Sequence, residues 1–225
     1  MQLVINLVRR SLRDLQLAIQ GSLILNQTLV DTMNAIFDGR VPDDWIAISW
    51  SSANLSTWFA DFLRREMQYR TWLWTAPPAV YWLTGFFNAQ GFITAMKQET
   101  TRAHNGQWAI DSLEMRCDVL HSESPDGMVA PEDGVLIHGL FLEGCGWASK
   151  GGKLVDSEPK VLFVPMPVIH LTAVSGGNPS SRNYLAPVYR TPGRKDLIFT
   201  VELRTDEPPQ RWTLRGVCLC TRTDM

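Results

Sequence analysis

Near Asn105 the spacing of apolar residues changes from helical to alternating, and that switch limits the fold more than any other feature of the chain. Before it, apolar residues recur every three or four positions; after it they recur every second position in short runs. Such a pattern segregates helices from strands along the sequence and implies an α+β fold. The expected division is an N-terminal helical subdomain over 1–108, followed by a C-terminal incomplete antiparallel β-barrel over 109–225.

In the first part, residues 3 to 20 read as an amphipathic helix, with Arg9, Arg10, Arg13 and Asp14 interleaved among apolar positions. Its stripe of Leu3, Leu7, Leu12, Leu15 and Ile19 is expected to bury against the later helices while the arginine side faces outward, and Gly21 is a plausible stop. A second helix carries Leu25, Leu29, Met33, Ile36 and Phe37 and ends at Asp38-Gly39, with Val41-Pro42 as the turn. Asn54 or Ser56 can cap a third, long helix bearing Trp58, Phe59, Phe62, Leu63, Met67 and Trp72, which stops before Pro77. A fourth runs from about Asn88 to Ala103, its polar half from Lys97 to Arg102 meeting solvent. No charged residue occurs from Thr71 to Met96, but Pro77-Pro78, Gly85, Asn88, Gln90 and Gly91 interrupt the run. Buried helical structure is therefore expected there rather than a membrane span, which needs about 20 apolar residues.

In the second part, strands are expected over Leu113 to Val119, Gly134 to Leu142, Val161 to Val164, Val168 to Val174, at Val188, and over Leu197 to Leu203 and Leu214 to Cys220. The segments Ser122 to Pro131, Gly144 to Lys153 and Ser175 to Arg182 read as loops.

Hydrophobic residues make up 45% of the 225, enough for a substantial core without metal or disulfides. A net charge of −2 without a basic stripe gives no electrostatic footprint for nucleic acid. Cys117, Cys145, Cys218 and Cys220 lack the spacing of a disulfide framework. Charges at Arg9, Arg10, Arg13 and Asp14 break the first apolar stretch before a secretory signal can form, and a reducing intracellular compartment is expected. The nine Trp point to core and subdomain contacts, or to a docking surface covered in a larger assembly.

The candidate chemical motifs are weak. Trp147 to Leu154 ends in Gly-Lys like a phosphate loop, but it starts with Trp, puts Leu154 where a magnesium-binding hydroxyl belongs, and runs on to Pro159 and a strand instead of a helix. A hairpin loop is the simpler reading. Cys117 with His121, and Cys218 with Cys220, are not C-x-x-C pairs, although a strand would set the latter two on one face. His138 and His170 read as ordinary strand residues, and Pro131-Glu132-Asp133-Gly134 as a turn entering a strand. No catalytic, cofactor-binding or metal residues are assigned.

By residues alone the reading stops at a helical-plus-β interaction domain, with a free-standing intracellular β-barrel binding module under a helical cap as one form of it. An ordered run of motifs goes further. Val8 to Leu12 with Gly21, Gly39-Arg40-Val41-Pro42 followed by Trp45, and Trp82-Leu83-Thr84-Gly85-Phe86-Phe87 come first. Pro131 to Val135, Gly139 to Gly144 with Trp147, Pro165-Met166-Pro167-Val168-Ile169, Pro187-Val188-Tyr189, and Trp212 with Arg215-Gly216-Val217 follow in order. Together they resemble the C-terminal region of dynein heavy chains, and the P-E-D-G and P-M-P-V-I elements resemble axonemal heavy chains more than cytoplasmic ones. Ser49 to Leu55, Asn88-Ala89 and Cys145-Gly146 depart from the family pattern, all in turns.

The resemblance implies a module that binds no nucleotide and no cofactor, packs on the AAA+ ring of its own heavy chain near the sixth and first modules, and tunes a microtubule motor that drives ciliary or flagellar beating. It implies an axonemal location, other dynein or axonemal subunits as further partners, and no direct contact with microtubules, membrane or nucleic acid. Met1 leads directly into the amphipathic helix, as if cut from a longer polypeptide. The motif residues Trp45, Trp82, Gly85, Phe86, Phe87, Gly134, Gly139, Trp147, Pro165, Pro167 and Trp212 are expected to serve structure, and exposed apolar surface to serve docking.

Overall fold

A computed structural model describes residues 1–104, 107–122, 124–176 and 182–223. The chain divides into two compact units, Met1–Arg70 and Thr71–Thr223. The change from helix to strand and the change from one packed unit to the next therefore fall at different places along the sequence.

The first unit holds α1 (Gln2–Ile19), α2 (Gln27–Phe37), the short α3 (Asp43–Ala47), and the part of α4 (Leu55–Trp74) up to Arg70. Local chemistry sets the helix ends. Asn26 Oδ1 accepts the Leu29 N–H at 2.9 Å, and Asn54 Oδ1 accepts that of Thr57 at 2.9 Å. Gly21 and Gly39 end α1 and α2 in left-handed turns at φ +75° and +69°. The following Ser22 and Arg40 amides reach back to Leu17 and Ala35 at 2.8 Å, closing the freed carbonyls.

The stripe expected on α1 is wrong in detail. Val4, Val8, Leu15 and Ala18 are buried, whereas Leu3, Leu12 and Ile19 are 76%, 42% and 76% exposed. The buried line has small Ser11 at its centre, because the Trp45 indole from α3 packs there and donates to the Ser11 hydroxyl at 2.9 Å. Large aliphatic residues are displaced to the flanks of that line. The arginine side does face solvent. Trp58 of α4 is wholly buried, with Trp45, Trp50, Phe59 and Phe62 around it at centroid distances of 5.2–5.3 Å. The Arg65 guanidinium closes this stack, 3.8 Å above the Trp50 ring.

The second unit holds β1 (Val80–Trp82), a 3-10 turn (Leu83–Gly85), α5 (Ala89–Ala103), β2 (Leu113–Val119), β3 (Val135–His138), β4 (Phe141–Glu143), β5 (Gly146–Ala148), β6 (Lys153–Val155), β7 (Phe163–Pro165), β8 (Ile169–Ser175), β9 (Tyr184–Tyr189), β10 (Leu197–Leu203), α6 (Pro209–Leu214) and β11 (Cys218–Cys220). They form a four-stranded sheet ordered β1-β3-β8-β2, a five-stranded sheet ordered β10-β9-β11-β4-β7, and the hairpin β5-β6. The two larger sheets do not close on each other, so the barrel is incomplete, as expected. They are mixed, because β1 runs parallel to β3 and β11 parallel to β9. Ile137, Leu142, Ile169, Leu171, Val188, Val201, Leu203 and Leu219 are buried in one core cluster shared by the two sheets.

Several expectations shift. β1 lies before the switch, and the uncharged stretch that was expected to be helical is strand and 3-10 turn over 80–85. The Gly134–Leu142 strand is two strands. The Gly144–Lys153 loop contains β5 and the turn into β6, and the last expected strand begins as α6. The loop read over Ser175–Arg182 lies mostly outside the described residues. Thr100 is buried, and Lys97 Nζ bonds the Leu113 carbonyl at 2.9 Å, so the polar half of α5 is only partly in solvent. No helix among the described residues is long and apolar enough to cross a membrane.

This packing can be tested at two places. Leu15→Ala should cost about 2–5 kcal/mol, whereas Leu12→Ala should cost about 1 kcal/mol or less; thermal melts of the two variants compare them. In the second unit, burial pushes the Cys117 and Cys145 thiols and the Tyr184 phenol up to about 12. Each group holds its proton more tightly folded than unfolded, so its contribution is intact below the unfolded value and is lost as pH rises toward 12. Chemical denaturation from pH 8 upward should show stability falling through that window.

Candidate interaction face and motif residues

The motif residues sit in both units. Trp45 anchors the α1 line described above, with 1% of its surface exposed. Trp82, at the end of β1, covers Gly139, which adopts φ +88° between β3 and β4; a Cβ there would lie 2.6 Å from Trp82 Cδ1. The Thr84 hydroxyl lies 3.0 Å from the Gly139 carbonyl and 2.7 Å from that of Thr221, tying this corner to the end of β11. Gly85 is buried, and Phe86 and Phe87 are half-buried. Phe86 stacks on Phe92 of α5 at 4.4 Å. Gly134 opens β3 at φ +73°, where a Cβ would meet the Leu171 carbonyl oxygen at 2.1 Å.

Trp147 of β5 is half-buried against the core. Pro165 sits exposed on the edge strand β7, where the missing N–H costs no ladder bond, while Pro167 is buried. Trp212 of α6 is buried, and its indole donates to Thr205 Oγ1 at 2.7 Å. The contacts above bring Trp82 and Gly139 into a direct pair.

The Trp147–Leu154 segment is a hairpin. The Gly151 and Gly152 amides, which a phosphate loop would aim at its ligand, both donate to the Ala148 carbonyl at 3.0 and 2.8 Å. The Lys153 ammonium pairs with Asp206. His121 Nδ1 lies 3.1 Å from the Ser149 carbonyl, and His170 Nε2 lies 2.8 Å from that of Asp133, so these histidines have backbone partners. Glu143 of β4 escaped the sequence reading: it stands beside Cys218 and Cys220, and only strand register could have revealed that. The Cys218 thiol is pushed well up, first by its hydrogen bond with Cys220, then by burial.

Two open surfaces among the described residues bear on binding. A cleft of about 850 Å³ lies where β2 and β10, the outer strands of the two sheets, stand beside α5. Lys97, Arg116 and Arg204 line it together with Glu114, Asp118 and Glu202, so it presents no single charge. The other is apolar. Leu12, Leu15, Ile19, Met33 and Ile36 line a groove of about 360 Å³ between α1 and α2. Leu23, Ile24 and Leu25 are exposed in the segment that joins the two helices, and Phe37 is 90% exposed at the end of α2. So many large apolar side chains on one helix pair form the kind of patch that marks a protein contact.

The family model for the C-terminal domain of dynein heavy chains matches residues 1–221. Dynein axonemal heavy chain 8 of Mus musculus is 44% identical over 222 residues, covering 97% of the present sequence. The dynein gamma chain, flagellar outer arm, of Chlamydomonas reinhardtii is 39% identical over 229 residues and covers 98%. The dynein beta chain, ciliary, of Heliocidaris crassispina is 37% identical over 216 residues and covers 94%. In each case the present sequence spans 5% of the relative's own length.

Backbone constraint at the motif glycines makes a sharp comparison. Gly39→Ala meets no atom within 4 Å and should cost only the left-handed strain, about 1 kcal/mol. Gly134→Ala adds a backbone clash and should cost more than about 2 kcal/mol. Equal losses in parallel denaturation curves would refute the placement of Gly134 against β8.

Proposed function

The protein belongs to the family of dynein heavy-chain domains found at the C-terminus, and on that premise we propose that it is the non-ATPase C-terminal module of an axonemal dynein heavy chain. In this reading it packs on the AAA+ ring of the same heavy chain, near the sixth and first modules. There it braces the ring and modulates a microtubule motor that drives ciliary or flagellar beating. The names of its relatives support the axonemal setting. The observation that carries the docking role is the apolar groove between α1 and α2, lined in part by the exposed Ile19, together with the exposed Phe37 at the end of α2. Each such side chain contributes about 1.5–3 kcal/mol when fully buried against a partner.

The lack of ATP chemistry in the module is supported by the hairpin at Trp147–Leu154, whose glycine amides are already satisfied within the turn. Isothermal calorimetry of the isolated protein should give no saturable ATP binding.

The docking role is tested with Ile19→Glu combined with Phe37→Glu. Both positions are exposed, so melting of the isolated protein should change by only about 0.5 kcal/mol per site. In the intact heavy chain the same pair should alter velocity or force while microtubule affinity of the stalk stays the same. Unchanged velocity and force would refute docking through this groove.

A further inference from the structure

We propose that Glu143, Cys218 and Cys220 form a binding site for a thiophilic divalent cation of the zinc class. In the antiparallel pairing of β4 with β11, Cys218 stands directly opposite Glu143. Cys220 follows two residues later, and the period of a strand puts it on the same face. The Cys218 Sγ lies 3.2 Å from a Glu143 carboxylate oxygen, and the ligand atoms of all three residues lie within 4.8 Å of one another. In a tetrahedral zinc site, bonds of about 2.3 Å to sulfur and 2.0–2.2 Å to oxygen set ligand atoms roughly 3.5–3.8 Å apart. Small side-chain rotations bridge the difference.

The surroundings suit an ion. Both thiols are fully buried, while Glu143 keeps 27% of its side chain exposed and so leaves a path in. The Arg194 guanidinium lies 3.1 Å from Glu143. It reaches there from a residue in the left-handed region at φ 56°, passing over Gly216, where a Cβ would come within 3.0 Å of Arg194 Nη1. With no ion and both thiols protonated, the carboxylate and guanidinium balance. When a dication binds, each thiol gives up its proton to solvent. The dication, two thiolates, carboxylate and guanidinium then again sum to zero, so neither state buries net charge. Two thiolates select zinc-like over magnesium- or calcium-like ions. A disulfide is a poorer use of this pair, since alternate residues of a strand stand about 6.6 Å apart at Cα, near the limit for that bond. Water or a nearby side chain would complete the fourth position.

The site is tested on the 225-residue protein, stripped of metal and kept reduced. Zn²⁺ titrated in two buffers of different ionisation enthalpy should bind one equivalent with release of about two protons. Co²⁺ in its place should show a sulfur-to-metal charge-transfer band. Cys218→Ala and Cys220→Ala should each remove both signals, Glu143→Gln should weaken binding, and Arg194→Ala, which removes a competing cation, should tighten it by about tenfold or more. A folded wild-type protein that takes up no zinc overturns the proposal, as does binding that survives in a folded Cys220→Ala variant. Should the cysteine variants fail to fold, Glu143→Gln and Arg194→Ala decide: unchanged affinity in both places the metal elsewhere and overturns the site.

Discussion

The β unit depends on one corner, where the backbone leaves one sheet and enters the other at Gly139. β3 belongs to the four-stranded sheet and β4, which begins after the two intervening residues Gly139 and Leu140, to the five-stranded sheet. A strand that switches sheets must bend sharply, and glycine at φ +88° supplies the bend. The missing side chain also makes the space that Trp82 occupies, and Trp82 comes from β1, which pairs in parallel with β3. The Thr84 hydroxyl then holds the same corner to the segment beyond β11. Bend, indole and hydroxyl are thus one device, and two of its three parts come from a segment far earlier in the sequence. Losing the bend would leave β4 without the position from which it pairs with both β11 and β7.

The helical unit solves a different problem with aromatic residues. Its helices are short apart from α1 and α4, and only Trp58 and Arg65 of α4 are buried. A core with so few buried positions needs large groups, and each indole must also place an N–H. Trp45 and Trp58 do so through hydroxyls: Trp45 donates to Ser11, and Trp58 to Ser49, which in turn lies 2.5 Å from the Trp45 carbonyl. The serines are therefore as much part of this core as the tryptophans. The stack closed by Arg65 buries a cation against a π face and beside Asp61, 3.4 Å away, instead of leaving it uncompensated.

Much of this was legible in sequence where a local rule acts alone. The expected bounds of β2 and β10 match to the residue, because one face of each is buried and the sequence alternates, throughout β2 and from Phe199 onward in β10. Gly21, Gly39 and Asn54 marked their helix ends because the chemistry of a cap lies within three residues of it. What was missed depends on partners far along the sequence. β1 has three residues, too few to show a period, and exists because β3 lies beside it. The buried line of α1 runs through a serine because Trp45 fills the space above it, so a search for leucines picks out the flanks instead. Glu143 reads as one of many acidic residues until register sets it against Cys218. The exposed apolar groove was expected in kind, but its location was not, since exposure is a property of what fails to pack.

That exposure has an energetic meaning. α1 has 18 residues, yet its only packed line is Val4, Val8, Ser11, Leu15 and Ala18, mostly small side chains. Small residues bring α1 close to α2 and α3 but bury little area, and burial stabilises in proportion to area. Leu12 and Ile19 stand beside that line with more apolar surface than several of the residues within it, and they stay 42% and 76% exposed. A helix built this way is held by one edge. Covering the other edge would add about as much per side chain as the internal packing supplies. Anything that binds along the groove of the folded unit alone would therefore add to the unit's stability. Leu15 lines the groove and also belongs to the buried line of α1, so a contact made there would meet the unit's own packing.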